Sequence, residues 1–335
     1  MTIKDLAEKT GYSVATISRV INKQPNVSEK ARSVIAAAVE ESGFQININA
    51  KQLKQHATSI LVVVKGTSNE MFSEMLETIQ TLVAQTNYPL HVAYVDEDSN
   101  EVLSAIQFCR EKKPLGILFL GGNSRNFIND YDKIDLPCVL VSSDGSNVDN
   151  LHISSVCTDD RQAARCAMDA LVALGHKKIV IVGGDKDISD TCRLRYEGCM
   201  QSLSRHGIAF NSELDYRGVH FSYKDGYDAA QQLISDGREF TALFAMADVM
   251  AIGAIRALHD NGLRVPQDVS VMGFDGLPIA SYMVPQLSTV IQDVDGMARR
   301  SFELLIDNIE NGSKARHMTV PFVLSRNEST RRIDE

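Results

Sequence analysis

Arg19 stands in the stretch Ser13-Val14-Ala15-Thr16-Ile17-Ser18-Arg19-Val20-Ile21-Asn22, where spacing sorts the side chains onto two faces. At 3.6 residues per turn, Ile17, Val20 and Ile21 point one way while Ala15, Ser18, Arg19 and Asn22 cluster almost opposite. Small polar groups around one arginine suit a DNA major groove, because Arg can bond guanine O6 and N7 together. A polar helix face alone is usually only a solvated one. The short Gly11-Tyr12-Ser13 turn before it and the basic residues around it favour DNA.

Other candidate chemistries are weaker. Leu120-Gly121-Gly122 and Val182-Gly183-Gly184-Asp185 place glycines after apolar runs, as in a nicotinamide-dependent enzyme. Neither is GxGxxG, and no GxxxxGK followed by Ser or Thr occurs. No Ser/His/Asp or paired-carboxylate set has specific spacing. The six cysteines (Cys109, Cys138, Cys157, Cys166, Cys192, Cys199) form no CxxC pair and read as reduced structural thiols. No enzyme activity, metal or cofactor is expected.

Charge points the same way. The chain of 335 residues has a formal net charge of −9, which argues against nucleic-acid binding over the whole surface. Residues 1–57 carry eight Lys/Arg against five Asp/Glu, a net of +3, leaving −9 − 3 = −12 on the remainder. A basic head on an acidic body implies that only the head meets phosphate. The polar N-terminus lacks a signal peptide's basic start and apolar stretch. No apolar run approaches a membrane span. The expectation is a soluble cytoplasmic protein.

The elements that must hold Arg19 are three short helices. Thr2 with Asp5 reads as a capping box, followed by Ile3, Leu6, Ala7 and Thr10 as an inner stripe. Ser13 caps the second helix, and Ser28 the third, with Ala31, Val34, Ile35, Ala38 and Val39 on one face and Gly43 as the stop. From Ser59 the pattern changes to apolar strands among amphipathic helices. Ile60–Val64, Leu90–Val95, Gly116–Leu120 and Pro137–Val141 form one set. Lys178–Val182, Leu214–Val219, Ala242–Ala245 and Val269–Phe274 form another. The fold class is α/β: an all-α headpiece and hinge, then a doubly wound parallel-sheet body of two lobes with a cleft at the strand carboxyl ends. Domain boundaries are set at 1–45, 46–57 (linker) and 58–335.

The stretch TIKDLAEKTGYSVATISRVINKQPNVSEKAR resembles the helix-turn-helix headpiece of the lac-repressor (LacI/GalR) family almost residue for residue. That resemblance implies that Val14 and Ala15 start a recognition helix and that Arg19 reads a base. It implies that Thr2, Thr16, Ser18, Asn22 and Asn26 touch phosphate or neighbouring bases. Asn47 to Lys54 resembles the family's hinge helix, in which Ala50 allows close approach, Lys51 stands where Arg is usual, and Leu53 wedges into the minor groove. Leu53 packed on the body is the alternative. Ile46 departs from the usual proline.

The body resembles a periplasmic sugar-binding protein, carried by Leu174-Gly175-His176, Ala247-Asp248 to Ala254, Val265-Pro266 to Asp275 and Arg326-Asn327-Glu328-Ser329-Thr330. Position by position, the resemblance implies an effector site of Phe72, Arg195, Phe221, Asp248, Asp275 and Gln292. Aromatic faces with planar bidentate groups suit a polyol. Alternatives stand beside these. Asp248 would serve equally as a helix cap, Phe72 and Phe221 as core, and Arg195 and Asp275 as a pair across the closed cleft. Gly276 replaces a frequent second Asp, Ala247 a frequent Asn, and Ser142-Ser143 a frequent Asp-Arg. The implied partners are pseudo-palindromic double-stranded operator DNA, a small-molecule effector of carbohydrate type, and a second copy in a homodimer, with no membrane. The competing classes are a transport-type solute-binding protein and a nicotinamide-dependent enzyme.

Overall fold

The computed structural model describes residues 3–13, 16–17, 20, 27–42, 59–66, 69–148, 153–186 and 188–333. Two compact units divide the chain, Met1–His56 and Ala57–Glu335. In the first, α1 (Ile3–Thr10) ends where the Gly11 N–H meets the Ala7 carbonyl, and α2 spans Glu29–Ser42. Leu6, Ile17, Val20, Ala31, Ile35 and Ala38 close a small core. Val34, expected on the inner stripe, is 40% exposed instead. Ala31, Ile35 and Ala38 already fill the contact face at helical spacing, which turns Val34 to its edge.

The second unit begins with β1 (Ile60–Lys65), α3 (Glu70–Val83), β2 (Leu90–Val95), α4 (Glu101–Lys112), β3 (Gly116–Leu120), α5 (Ser124–Asp130), β4 (Cys138–Val141) and β5 (Ile153–Thr158). It continues with α6 (Asp160–Ala173), β6 (Ile179–Gly183), α7 (Asp190–Arg205), α8 (Ser212–Asp215), β7 (Tyr216–Gly218) and α9 (Tyr223–Ser235). Last come β8 (Ala242–Ala245), α10 (Asp248–Asp260), β9 (Ser270–Asp275), β10 (Ser288–Gln292), α11 (Val294–Asn311), β11 (His317–Val320) and β12 (Phe322–Ser325). Two six-stranded sheets result, ordered β11-β5-β4-β3-β1-β2 and β12-β10-β9-β8-β6-β7. All pairings are parallel except β10 with β12. Helices cover both faces, so strands such as Ile60–Val64 are buried throughout, and near-continuous aliphatic sequence is what such strands need.

The chain changes lobes three times, between β5 and α6, between β10 and α11, and between β11 and β12. Every change is made within a few residues, so the three segments form a short hinge. The expected strand at Leu214 starts two residues later. Asn211 caps α8 by accepting from Glu213 N, and that turn uses up Leu214. β5, β11 and β12 were not expected. In β5, Ser154, Ser155 and Thr158 interrupt the apolar run although all three are buried. Their hydroxyls are satisfied, Ser155 by His317 Nδ1 at 2.9 Å and Ser154 by Asn308 and the Arg316 amide.

Candidate functional site

A cavity of ≈ 480 Å³ opens between the lobes where the strands of both sheets end. That position, outside the carboxyl ends of parallel strands, is where open α/β folds place ligands. Phe72 enters from α3 in the first lobe, while Arg195 on α7, Phe221 after β7 and Asp275 at the end of β9 enter from the second. Two residues at the cavity other than glycine have positive φ, Ser142 at 63° and Asp275 at 116°. Such backbone is strained and gathers at functional sites.

The glycine pairs find their role here. A Cβ on Gly121 would lie 2.9 Å from the Phe72 ring, and one on Gly184 would lie 2.9 Å from the Phe221 ring and 2.5 Å from Cys192 Sγ. Gly121 and Gly184 are the seats on which the Phe72 and Phe221 rings lie, while Gly122 packs on Phe127 and Gly183 on Met246 and Tyr216. They are packing features, not a dinucleotide loop.

Arg195 is 2% exposed and is held on several sides. Its Nε donates to Asp160 Oδ1 at 2.7 Å and its Nη1 to the Met246 carbonyl. The guanidinium also stacks 3.7 Å from the Phe274 ring centroid. Asp275 Oδ1 lies 3.7 Å from Nη1. The expected Arg195–Asp275 pair therefore forms, but inside the second lobe and not across the cleft, and Asp160 is the nearer partner. Burial opposes the charge on Arg195, yet Asp160 and Asp275 hold its pKa above the usual arginine value. Behind Asp275, Gln292 Nε2 donates to Asp275 Oδ1 at 2.8 Å, and Thr158 Oγ1 donates to Gln292 Oε1 at 2.7 Å. Thr158 and Gln292 both stand at hinge crossings, so a buried chain of polar contacts runs from the hinge to the cavity wall.

Two of the expected site residues stand apart from the cavity lining. Gln292 is behind Asp275, as described. Asp248 is the first residue of α10 and makes no cap bond there. Its Oδ2 accepts from the amides of Gly276 and Leu277 at 2.8 and 2.7 Å, and its Oδ1 from Thr289 Oγ1 at 2.6 Å. With those bonds made and 0% exposure, it anchors the loop after β9 and does not line this cavity. The expected helix cap is therefore not its role, since the helix begins at Asp248 itself.

Several residues at the cavity escaped sequence reasoning. Lys65 lines it and pairs with the fully buried Glu101 at 2.6 Å. Polar contacts also join the lobes. Asn123 Nδ2 donates to the Ile188 carbonyl at 2.6 Å and Ser124 N to Asp190 Oδ2 at 2.8 Å. Elsewhere His220 Nε2 lies 3.3 Å from Asp98, and Tyr223 Oη donates to Glu70. All these groups are remote in sequence from their partners, so no local spacing could have flagged them.

Burial pushes the Asp275 carboxyl up to about 7, against the pull of Arg195 and the Gln292 hydrogen bond. A carboxyl raised in the folded state adds stability that is complete at low pH and lost as pH rises through its folded value. Body stability of the wild type relative to Asp275→Asn should therefore fall between about pH 4 and about pH 7. Urea unfolding across that range checks it, and parallel profiles for the two proteins would refute it.

In the head, Ser13 Oγ accepts from Thr16 N at 3.2 Å and meets Thr16 Oγ1 at 2.9 Å, which agrees with Ser13 as a helix start. Thr2, Val14, Ala15, Ser18, Arg19, Asn22, Asn26, Ala50, Lys51 and Leu53 lie outside the described residues, as does Gly43. Among the described residues no group of three His, Cys, Asp or Glu side chains could hold a metal ion. No helix among them is long and apolar enough to cross a membrane.

Residues 2–47 match the model of the bacterial regulatory proteins of the lacI family, and residues 168–330 that of a periplasmic binding protein-like domain. The HTH-type transcriptional regulator MalR of Clostridium butyricum is 33% identical over 333 residues, 98% of this chain and 99% of the relative. Catabolite control protein A of Priestia megaterium is 29% identical, over 90% of this chain and 91% of its own. Among solved structures, the lac repressor dimer bound to operator and the anti-inducer ONPF superposes with a TM-score of 0.74 at 26% identity, covering 99% of each chain. With headpiece and body matched over essentially their full length, the chain belongs to the lacI family of bacterial regulatory proteins.

Proposed function

We propose that this chain is a sequence-specific DNA-binding transcriptional regulator, a repressor, whose operator affinity is set by a small carbohydrate effector bound between the lobes. The observation that carries the reading is one chain holding both a lacI-type headpiece match over residues 2–47 and an interlobe cavity floored by two aromatic rings. It acts without catalysis, as a homodimer on pseudo-palindromic double-stranded DNA. The solved relative named as a dimer on operator with an anti-inducer supports that arrangement.

In this reading Phe72 and Phe221 take the C–H faces of the sugar, and Arg195 and Asp275 take its hydroxyls. Gln292 orients Asp275. A ligand touching both lobes favours the closed body over any open one by the difference in its affinity for the two, and only that difference reaches the DNA. Val14 and Ala15 meet base edges. Thr2, Thr16, Ser18, Asn22 and Asn26 set the register on phosphates. Ala50, Lys51 and Leu53 belong to a hinge that orders over the operator centre.

The test separates head from body. Arg19→Ala should cost about 1–3 kcal/mol at the cognate operator and much less on random duplex, because the other basic residues of the head remain. Fluorescence anisotropy on both DNAs, with and without a panel of neutral sugars, measures it. Equal losses on both would make Arg19 a phosphate contact. Operator affinity indifferent to every ligand that fills the cavity would overturn the effector reading.

A further inference from the structure

Anion recognition needs a cation whose charge is still available to the ligand, and arginine offers the best geometry for it. Two cations reach this cavity, one buried and one half-buried. Arg195 carries Asp160 on its Nε at 2.7 Å, with side chains 2% and 4% exposed. Lys65 carries Glu101 on its Nζ at 2.6 Å, with side chains 14% and 0% exposed. Glu101 is further fixed by Asn123 N at 2.7 Å and Asn126 Nδ2 at 3.0 Å, so its negative charge is well accommodated. Asp275 stands beside Arg195 as a second acid, 3.7 Å from its Nη1. Elsewhere Glu97, Asp98 and Asp225 line the space, and His220 Nε2 lies 3.3 Å from Asp98.

We propose that Asp160 and Glu101 are specificity-determining residues which, by neutralising Arg195 and Lys65, restrict the cavity to uncharged polyhydroxyl ligands and exclude phosphorylated or carboxylated sugars. This rests on reading the cavity as the effector site. A neutral sugar loses nothing by the pairing, since the N–H groups that Arg195 does not give to Asp160 or Met246 still donate to hydroxyl oxygens. An anion gains no net charge attraction from either cation, and it must leave water to enter a lining that is negative. The aromatic floor adds apolar contact without charge preference. Neither Asp160 nor Glu101 need touch the ligand, so both act through the cation each one holds.

The experiment uses the full chain, with isothermal titration of inorganic phosphate and glucose 6-phosphate into wild type, Asp160→Asn and Glu101→Gln. Wild type should show no binding of either anion. Asp160→Asn keeps the side-chain shape but removes the charge. It should gain affinity for inorganic phosphate by roughly tenfold or more, in a manner that added salt weakens. Glu101→Gln makes the same comparison at Lys65 if Asp160→Asn does not fold. Anion binding by wild type that Arg195→Gln removes would overturn the proposal, as would folded variants at both positions without any gain. The titration reads binding and not DNA release. A failure of the effector reading would appear separately, as cavity ligands that leave operator affinity unchanged.

Discussion

Arg195→Ala should destabilise the two-lobed body by about 3–5 kcal/mol, the usual consequence of removing one member of a buried ion pair. The substitution strands more than one partner. Asp160, 4% exposed, loses the cation it is paired with, Asp275 loses the charge that opposes its protonation, and the Met246 carbonyl loses its donor. The Phe274 ring also loses the guanidinium stacked on it. Chemical denaturation of the full chain, followed by a probe in the body, measures the loss. Because much of the penalty is an uncompensated carboxylate, Arg195→Ala combined with Asp160→Asn should recover a large part of it. The headpiece has a core of its own, in Leu6, Ile17, Val20, Ala31, Ile35 and Ala38, and its unfolding should be unaffected. A loss below about 1 kcal/mol, the ordinary size of a point substitution, would mean that Arg195 is not the neutralising centre of this wall.

How much of this was legible in the residues depends on the range of the interaction. Strands buried on both faces announce themselves, and Ile60, Leu61, Val62, Val63 and Val64 are all buried as their unbroken run suggests. Ile153–Thr158 is buried just as fully but hides two serines and a threonine, whose partners His317, Asn308 and Gln292 lie more than a hundred residues away. The cavity shows the same division. Phe72, Phe221, Arg195 and Asp275 were found through motifs, and the structure brings them to one space. Asp160 and Glu101 were not found, because a helix-start Asp or Glu reads as an ordinary first-turn acid until its long-range cation is seen. The glycine pairs after β3 and β6 were visible but ambiguous. Only the rings resting on Gly121 and Gly184 show why a side chain is excluded there.

Asp248 carries the second large effect. Its carboxylate receives the Gly276 and Leu277 amides and the Thr289 hydroxyl, and all three bonds are buried or nearly so. Burial, with the nearby Asp275 charge, pushes its pKa up to about 8, while those three donors pull it down. Asp248→Ala removes the acceptor for all three at once, and each buried donor left without a partner costs about 1–3 kcal/mol. Relief of the buried acid offsets part of that, so a net loss of about 3 kcal/mol in body stability is expected. Thr289→Val removes only one bond and should cost less. In the double variant the two losses should fall short of their sum, because the Asp248–Thr289 bond is counted in both. Function should follow the loop. Gly276 and Leu277 directly follow Asp275, so their release loosens that wall, and weakened effector binding should accompany lowered stability. Equilibrium urea unfolding of the two single variants and the double, with effector titration of each, decides the case. If Asp248→Ala keeps the wild-type unfolding midpoint and only weakens effector binding, the carboxylate reaches the ligand directly and the anchoring role is wrong.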